Sequence, residues 1–408
     1  MKAGTTARAT AAVAALAALL AGCGGTADEP ADAAPEPTEE ATPHGYVPGA
    51  EETAEAQSRL LLADAETGET VVFDLTTEEI TEVGRAPEPT GLRGDGRFGY
   101  LTTGDGTTHV LDSGAWTVDH GDHVHYYRTE PAALGTVAAA EVRAAHADSG
   151  RAALSLADGT VRLLDREELA AGTLSDPEVL SGDGALGAAV PYEEHLLVPG
   201  AEAPDTVSVW DADGQPVATV DASCPEPGGA AVTRRGAVFS CADGALLVTA
   251  EGDTFSGEKI AYPAGVPAAD VAREFTLRPG GDTLTAPAGE AGVLALNLAD
   301  RAWTLVATGP VVAANAVGDG VTLLTLTADG TLRAHDLTDG QLLASTELLA
   351  EPPAEGSAPP VIEIDTSRAY VNDPAAGVVH EVDYQDELRL ARTLTPGITP
   401  DLMVETGR

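Results

Sequence analysis

The chain has 408 residues, 43% of them hydrophobic and 4% aromatic, which is too apolar for a disordered chain and long enough for one large globular unit or two modest ones. Lys and Arg number 22 against 65 Asp and Glu, a formal net charge of −43, which excludes a nucleic-acid partner that relies on phosphate neutralisation. With 45 Gly and 27 Pro, long helices would be interrupted repeatedly while short strands and tight turns are well served, so the expected fold class is all-β.

Residues 1–22 carry Lys2 and Arg8, no acid, and an apolar run from Ala11 to Leu20, followed by Leu20-Ala21-Gly22-Cys23. The run is too short to span a bilayer, and the pattern reads as an export signal. Leu-Ala-Gly-Cys resembles the bacterial lipobox, so Cys23 is the expected lipidated first residue of a protein anchored to the outer face of the cell membrane. Gly24 to Gln57 holds nine acids, five prolines and no Lys or Arg; such a stretch cannot bury a core and repels itself, so 23–57 is expected to be a disordered tether.

From residue 58 to 408 one unit recurs, an apolar strand, a turn built from Asp, Gly or Asn, and a second strand ending at a polar residue. It spans Leu60–Leu75, Tyr100–Asp112, Ala152–Asp165, Leu196–Asp211, Ala237–Thr249, Thr283–Leu298, Leu323–Asp336 and Ala369–Asp383. The starts lie 40, 52, 44, 41, 46, 40 and 46 residues apart, the spacing of four-stranded propeller blades. A single β-propeller of about eight blades follows, or seven if one hairpin is an insertion; two β-sandwiches are the alternative. Cys224 and Cys241, seventeen residues apart in an exported chain, read as a disulfide between adjacent strands of one blade rather than a zinc pair, which would want a tighter spacing.

Chemistry concentrates in one place. Val118 to Tyr127 contains three histidines and two aspartates within seven residues, Asp119, His120, Asp122, His123 and His125. His123 and His125 share one face of an extended strand, and a turn at Gly121 would fold His120 back toward them. Neutral imidazoles suit zinc, nickel or copper(II), and Asp119 or Asp122 could complete the set or orient a ring. The competing reading is a solvated loop. His146 is a further candidate ligand from the next blade; His109, His195, His335 and His380 read as structural. No hydrolase elbow, phosphate loop or His-Glu-x-x-His pair occurs, so the chain reads as no enzyme, although three histidines with an open fourth position are also a catalytic zinc arrangement.

Val110-Leu111-Asp112-Ser113-Gly114-Ala115-Trp116, running into Asp119-His120-Gly121-Asp122-His123-Val124-His125-Tyr126-Tyr127, resembles the signature of the exported propeller zinc metallochaperones of Azt-type zinc ABC importers. The likeness extends to 327–332 and 370–377. It implies zinc as cargo, His120, His123 and His125 as ligands, and the importer's solute-binding protein as recipient. It has two departures. Family members tend to carry a His-His-Gly turn before an Ala-Val-Pro segment and a His-Gly pair after the first body cysteine, where this chain has Ala185-Leu186-Gly187-Ala188 and Cys224-Pro225-Glu226-Pro227-Gly228-Gly229. Those departures imply a reduced metal site, and with it the alternative of a propeller interaction module whose metal site is degenerate or absent.

Overall fold

A computed structural model of the chain describes residues 45–408 apart from 121–122, 183, 265, 268–270 and 354–355. The expected signal peptide, Cys23 and Asp122 lie outside the described residues. The described residues fold almost wholly into antiparallel strands, β1 (Glu51–Thr53) to β34 (Leu402–Thr406), and the fold is a β-propeller. Among them are seven four-stranded sheets and two three-stranded ones.

In chain order the first sheet holds β2 (Arg59–Ala63), β3 (Glu69–Asp74) and β4 (Ile80–Arg85), and the second β5 (Pro89–Gly94), β6 (Phe98–Thr103), β7 (Thr107–Asp112) and β10 (Ala132–Ala138). The third is β11 (Val142–Ala147), β12 (Arg151–Leu156), β13 (Val161–Asp165) and β14 (Glu178–Leu180). The fourth comprises β15 (Val190–Tyr192), β16 (His195–Pro199), β17 (Val207–Trp210) and β18 (Pro216–Thr219), and the fifth β19 (Ala230–Thr233), β20 (Gly236–Cys241), β21 (Gly244–Glu251) and β22 (Thr254–Ala261). The sixth has three strands, β23 (Thr283–Ala288), β24 (Gly292–Asn297) and β25 (Ala302–Val306), and a single bridge from Thr276 to Thr285 stands where its innermost strand would run. The last two are β26 (Ala313–Ala316) to β29 (Leu342–Glu347) and β30 (Ile362–Ile364) to β33 (Arg389–Leu394). A single turn of helix, α1 (Arg166–Ala170), follows the third hairpin, its first turn capped by the Asp165 carboxylate accepting from the Glu168 N–H at 2.9 Å.

The ring closes through both ends of the chain. β34 pairs with β2, from Arg59 opposite Thr406 to Ala63 opposite Leu402. The innermost strands then neighbour one another in order, β34, β5, β11, β15 and β19, on through 273–276 to β26, β30 and back to β34. This pairing of the last strand with the first hairpin completes the first sheet and joins the two ends of the described chain.

Central strands are buried on both faces, which is why they read as unbroken apolar runs. In Arg59-Leu60-Leu61-Leu62-Ala63, Leu60 and Leu62 pack with Tyr370 and Val379 of the eighth sheet, while Leu61 and Ala63 pack with Leu101 and Leu111 of the second. The turns explain part of the acidity. Asp105, Asp158 and Asp329 each accept hydrogen bonds from neighbouring threonines, Thr103 Oγ1 to Asp105 at 2.7 Å and Thr327 Oγ1 to Asp329 at 2.6 Å among them, and these bonds hold the carboxyls below the usual range.

Two expectations change. Residues 51–53, assigned to the disordered tether, form β1, so the folded body begins before residue 58; β1 is held by a partner strand far along the chain that composition does not reveal. Cys224 and Cys241 are joined, but Cys224 lies in the connector ahead of β19 and only Cys241 lies in a strand, so the bridge pins a loop to β20.

Candidate metal centre

Between β7 and β10, which are neighbours in the second sheet, the chain leaves the ring as a hairpin of β8 (Ala115–Asp119) and β9 (Val124–Arg128), with β1 paired to the outer side of β9. Its base is fixed. Gly114 has φ +70°, and a Cβ there would lie 2.4 Å from the Thr129 carbonyl oxygen, so only glycine fits where the chain departs. The Arg59 guanidinium donates to the carbonyls of Ser113 (2.7 Å) and Thr129 (3.0 Å) on the two legs. Arg97, held by Asp112 through two bonds of 3.0 and 2.7 Å, lies 3.9 Å over the Trp116 ring.

The strand register sets what each face presents. Trp116 lies opposite Tyr127 and Val118 opposite His125, and His120 N–H donates to the His123 carbonyl at 2.9 Å to close the hairpin. One face therefore reads upward as a stack, Trp116 on Tyr127 (5.4 Å between ring centres), then Tyr127 on His125 (6.1 Å), then the histidine tip. Tyr127 and Trp116 are buried, so His125 stands on a rigid aromatic base.

At the tip the three rings converge. Centre-to-centre distances are 4.7 Å for His120–His123, 5.3 Å for His120–His125 and 5.0 Å for His123–His125. One nitrogen from each lies within 4.8 Å of the others. A tetrahedral zinc with nitrogens at 2.0–2.1 Å places them about 3.3 Å apart, so the nitrogens need close by at most about 1.5 Å from their 4.8 Å spread, which rotation of exposed side chains supplies. His120 and His123 are exposed and His125 is half-buried. The donor set, three imidazoles, suits zinc, copper(II) or nickel and not calcium.

The opposite face of the hairpin, Thr117, Asp119, Val124 and Tyr126, forms one wall of a cavity of about 450 Å³ whose other walls include Arg278, Asp365 and Tyr370. Asp119 forms an ion pair with Arg234, in the turn between β19 and β20. The hairpin thus spans from the second sheet toward the fifth, over the end of the ring where the first two strands of each sheet are joined.

The remaining sequence candidates fall elsewhere. His146 is not among the three converging rings: it sits on β11 opposite Ala153, its Nε2 buried with no hydrogen-bond partner, and burial lowers its pKa to about 4. His380 Nε2 meets Asp373 at 3.2 Å and His195 Nδ1 meets its neighbouring carbonyl of Glu193 at 2.7 Å, both local structural contacts. Residues 185–189 and 224–229 lead into the innermost strands β15 and β19, at the end of the ring opposite the turn that holds Arg234. Histidines there would not reach the tip, so the departures from the family pattern do not subtract ligands from this cluster. Sequence reasoning missed Glu52, whose Oε1 lies 2.7 Å from His125 Nδ1.

Comparison with solved structures agrees with this fold. The crystal structure of Citrobacter koseri AztD superposes with a TM-score of 0.71 at 19% identity, covering 87% of this chain and 99% of that one. The apo form of the same protein gives 0.71 at 19% identity over 86% and 98%. The chain shares the AztD fold. A computationally designed protein, Ika8, follows at a TM-score of 0.50 and 16% identity over 78% of this chain and 91% of that one. No protein-family model matches the chain, and no curated protein matches it in sequence. No helix among the described residues is long and apolar enough to cross a membrane.

Proposed function

We propose that this protein is an extracytoplasmic zinc carrier, anchored to the membrane through Cys23, that holds one zinc ion on His120, His123 and His125 and passes it to the solute-binding protein of a zinc ABC importer. The observation that carries the reading is the convergence of the three imidazoles on an exposed hairpin tip. The AztD fold and the sequence likeness of 110–127 to the Azt-type metallochaperones support zinc as the cargo.

The geometry suits transfer rather than storage. Three neutral nitrogens hold the ion while the exposed side accepts an incoming ligand, so the ion can exchange from donor to acceptor without first being released to water. The rigid stack beneath His125 keeps the tip presented, and the acidic surface, with a formal net charge of −43, keeps cations near it. Nothing in the reading calls for bond making or breaking in a substrate; the protein acts as a carrier.

The test is transfer. Zinc-loaded protein mixed with the metal-free solute-binding protein of a zinc ABC importer from the same organism should pass its zinc faster than zinc dissociates into a chelator alone. Transfer no faster than that dissociation would remove the carrier function.

A further inference from the structure

The segment ahead of the ring is built into the metal centre. β1 pairs with β9 in the register Glu51–Arg128, Glu52–Tyr127 and Thr53–Tyr126. Around it, Arg128 donates to Glu51 at 2.8 and 2.9 Å, and the Trp116 indole N–H donates to the Gly45 carbonyl at 3.1 Å. Gly45 sits so close to the hairpin that a Cβ on it would lie 2.4 Å from Val118 Cγ2. Tyr46 meets the edge of Tyr127 with 6.4 Å between ring centres. All these contacts fall on the hairpin that carries the histidines.

Among them is one with chemical consequence. Glu52 Oε1 lies 2.7 Å from His125 Nδ1. An ionised carboxylate can only accept, so Nδ1 carries the hydrogen and the Nε2 lone pair is left for a metal. A carboxylate behind a ligating imidazole fixes its tautomer and ring orientation and raises its basicity.

Resting on the zinc-site reading above, we infer that Glu52 is a positioning residue of the metal centre, and that metal binding and the docking of segment 45–53 on the hairpin reinforce each other. Docking sets His125 for the ion, and an ion on His125 strengthens the bond that holds Glu52. Linkage requires the two effects to be equal in size. Because this segment lies between Cys23 and the ring, metal occupancy would be felt where the anchor joins the folded body.

The experiment uses the full chain purified in detergent and stripped of metal, with variants Glu52→Ala, Glu52→Gln and Glu51→Ala. Zinc affinity is measured by competition with a chelator, the His125 tautomer by imidazole nitrogen shifts, and docking by amide hydrogen exchange over 45–53 with and without zinc. We expect Glu52→Ala to weaken zinc by about 10–100-fold, the range for loss of such a partner, to mix the His125 tautomers, and to abolish the zinc-induced slowing of exchange. Glu52→Gln, whose carbonyl can still accept from Nδ1, should recover part of the affinity and the tautomer. Glu51→Ala, which removes the Arg128 pair without touching His125, should change affinity less than about threefold.

Zinc bound to the triad with unchanged affinity and unchanged His125 tautomer in Glu52→Ala would overturn the inference and leave the carrier reading standing. Equal losses in Glu51→Ala and Glu52→Ala would overturn it too, by reducing Glu52 to a strand contact. No zinc on the unaltered chain would overturn both.

Discussion

His146 offers a prediction that separates a structural histidine from a ligand. Its side chain is partly accessible as a whole, but Nε2 is buried and has no hydrogen-bond partner, so the charged imidazolium would leave a donor cut off from water. Burial lowers its pKa from 6.5 to about 4. The unfolded chain therefore takes up a proton as pH falls through 6.5 and the folded chain does not until about 4. Stability is full above the upper value and is lost progressively down to the lower one. Between pH 7.5 and 4.5 the loss from this group works out at no more than about 2.5 kcal/mol, using about 1.36 kcal/mol per pKa unit. The assay is urea unfolding of the wild type and His146→Gln across that range. Whatever the variant costs at pH 7.5, its stability should fall less steeply toward pH 4.5, by about 2 kcal/mol overall, while its zinc affinity stays that of the wild type. Parallel pH dependences would refute the burial argument, and a loss of zinc at neutral pH would make His146 a ligand.

Two further predictions follow from the base of the hairpin and from the far side of the ring. Gly114→Ala forces a side chain into a left-handed backbone at a cost of about 1–2 kcal/mol, with its Cβ 2.4 Å from the Thr129 carbonyl oxygen; zinc affinity should drop at least tenfold, read by chelator competition, while the melting temperature of the ring shifts little. Cys224→Ser opens a bridge of sequence separation 17 and should cost about 3 kcal/mol of stability in denaturant unfolding, with zinc affinity unaltered, since 224–229 lies at the end of the ring away from the histidine tip.

The ring was legible because its most buried parts are its most local ones. Each of the eight hairpins read from the sequence coincides with two adjacent central strands, such as β12 and β13 across Asp158-Gly159 or β27 (Thr322–Leu326) and β28 (Thr331–Asp336) across Asp329-Gly330. Both faces of these strands are buried and their turns carry Asp and Gly, so pattern and turn chemistry agree. The outer strands were not legible: β18, Pro216–Thr219, is exposed throughout and owes its conformation to β17 rather than to its residues. The histidine tip could be read for the same reason as the hairpins, since alternation places His123 and His125 on one face and a tight turn returns His120. Glu52 could not, because nothing within an acidic, proline-rich stretch distinguishes one glutamate from its neighbours. Its role is created by pairing with a strand 73 residues away.

If His120, His123 and His125 form one zinc site, the ion is bound once per chain and is lost with them. The most direct measurement is zinc stoichiometry and affinity of the full chain beside a variant with all three histidines replaced by alanine, each checked for an intact fold by circular dichroism. One tightly bound zinc per chain, lost in the variant with the fold retained, is the predicted result. Equal zinc binding by both proteins, or none by the unaltered chain, would contradict the account.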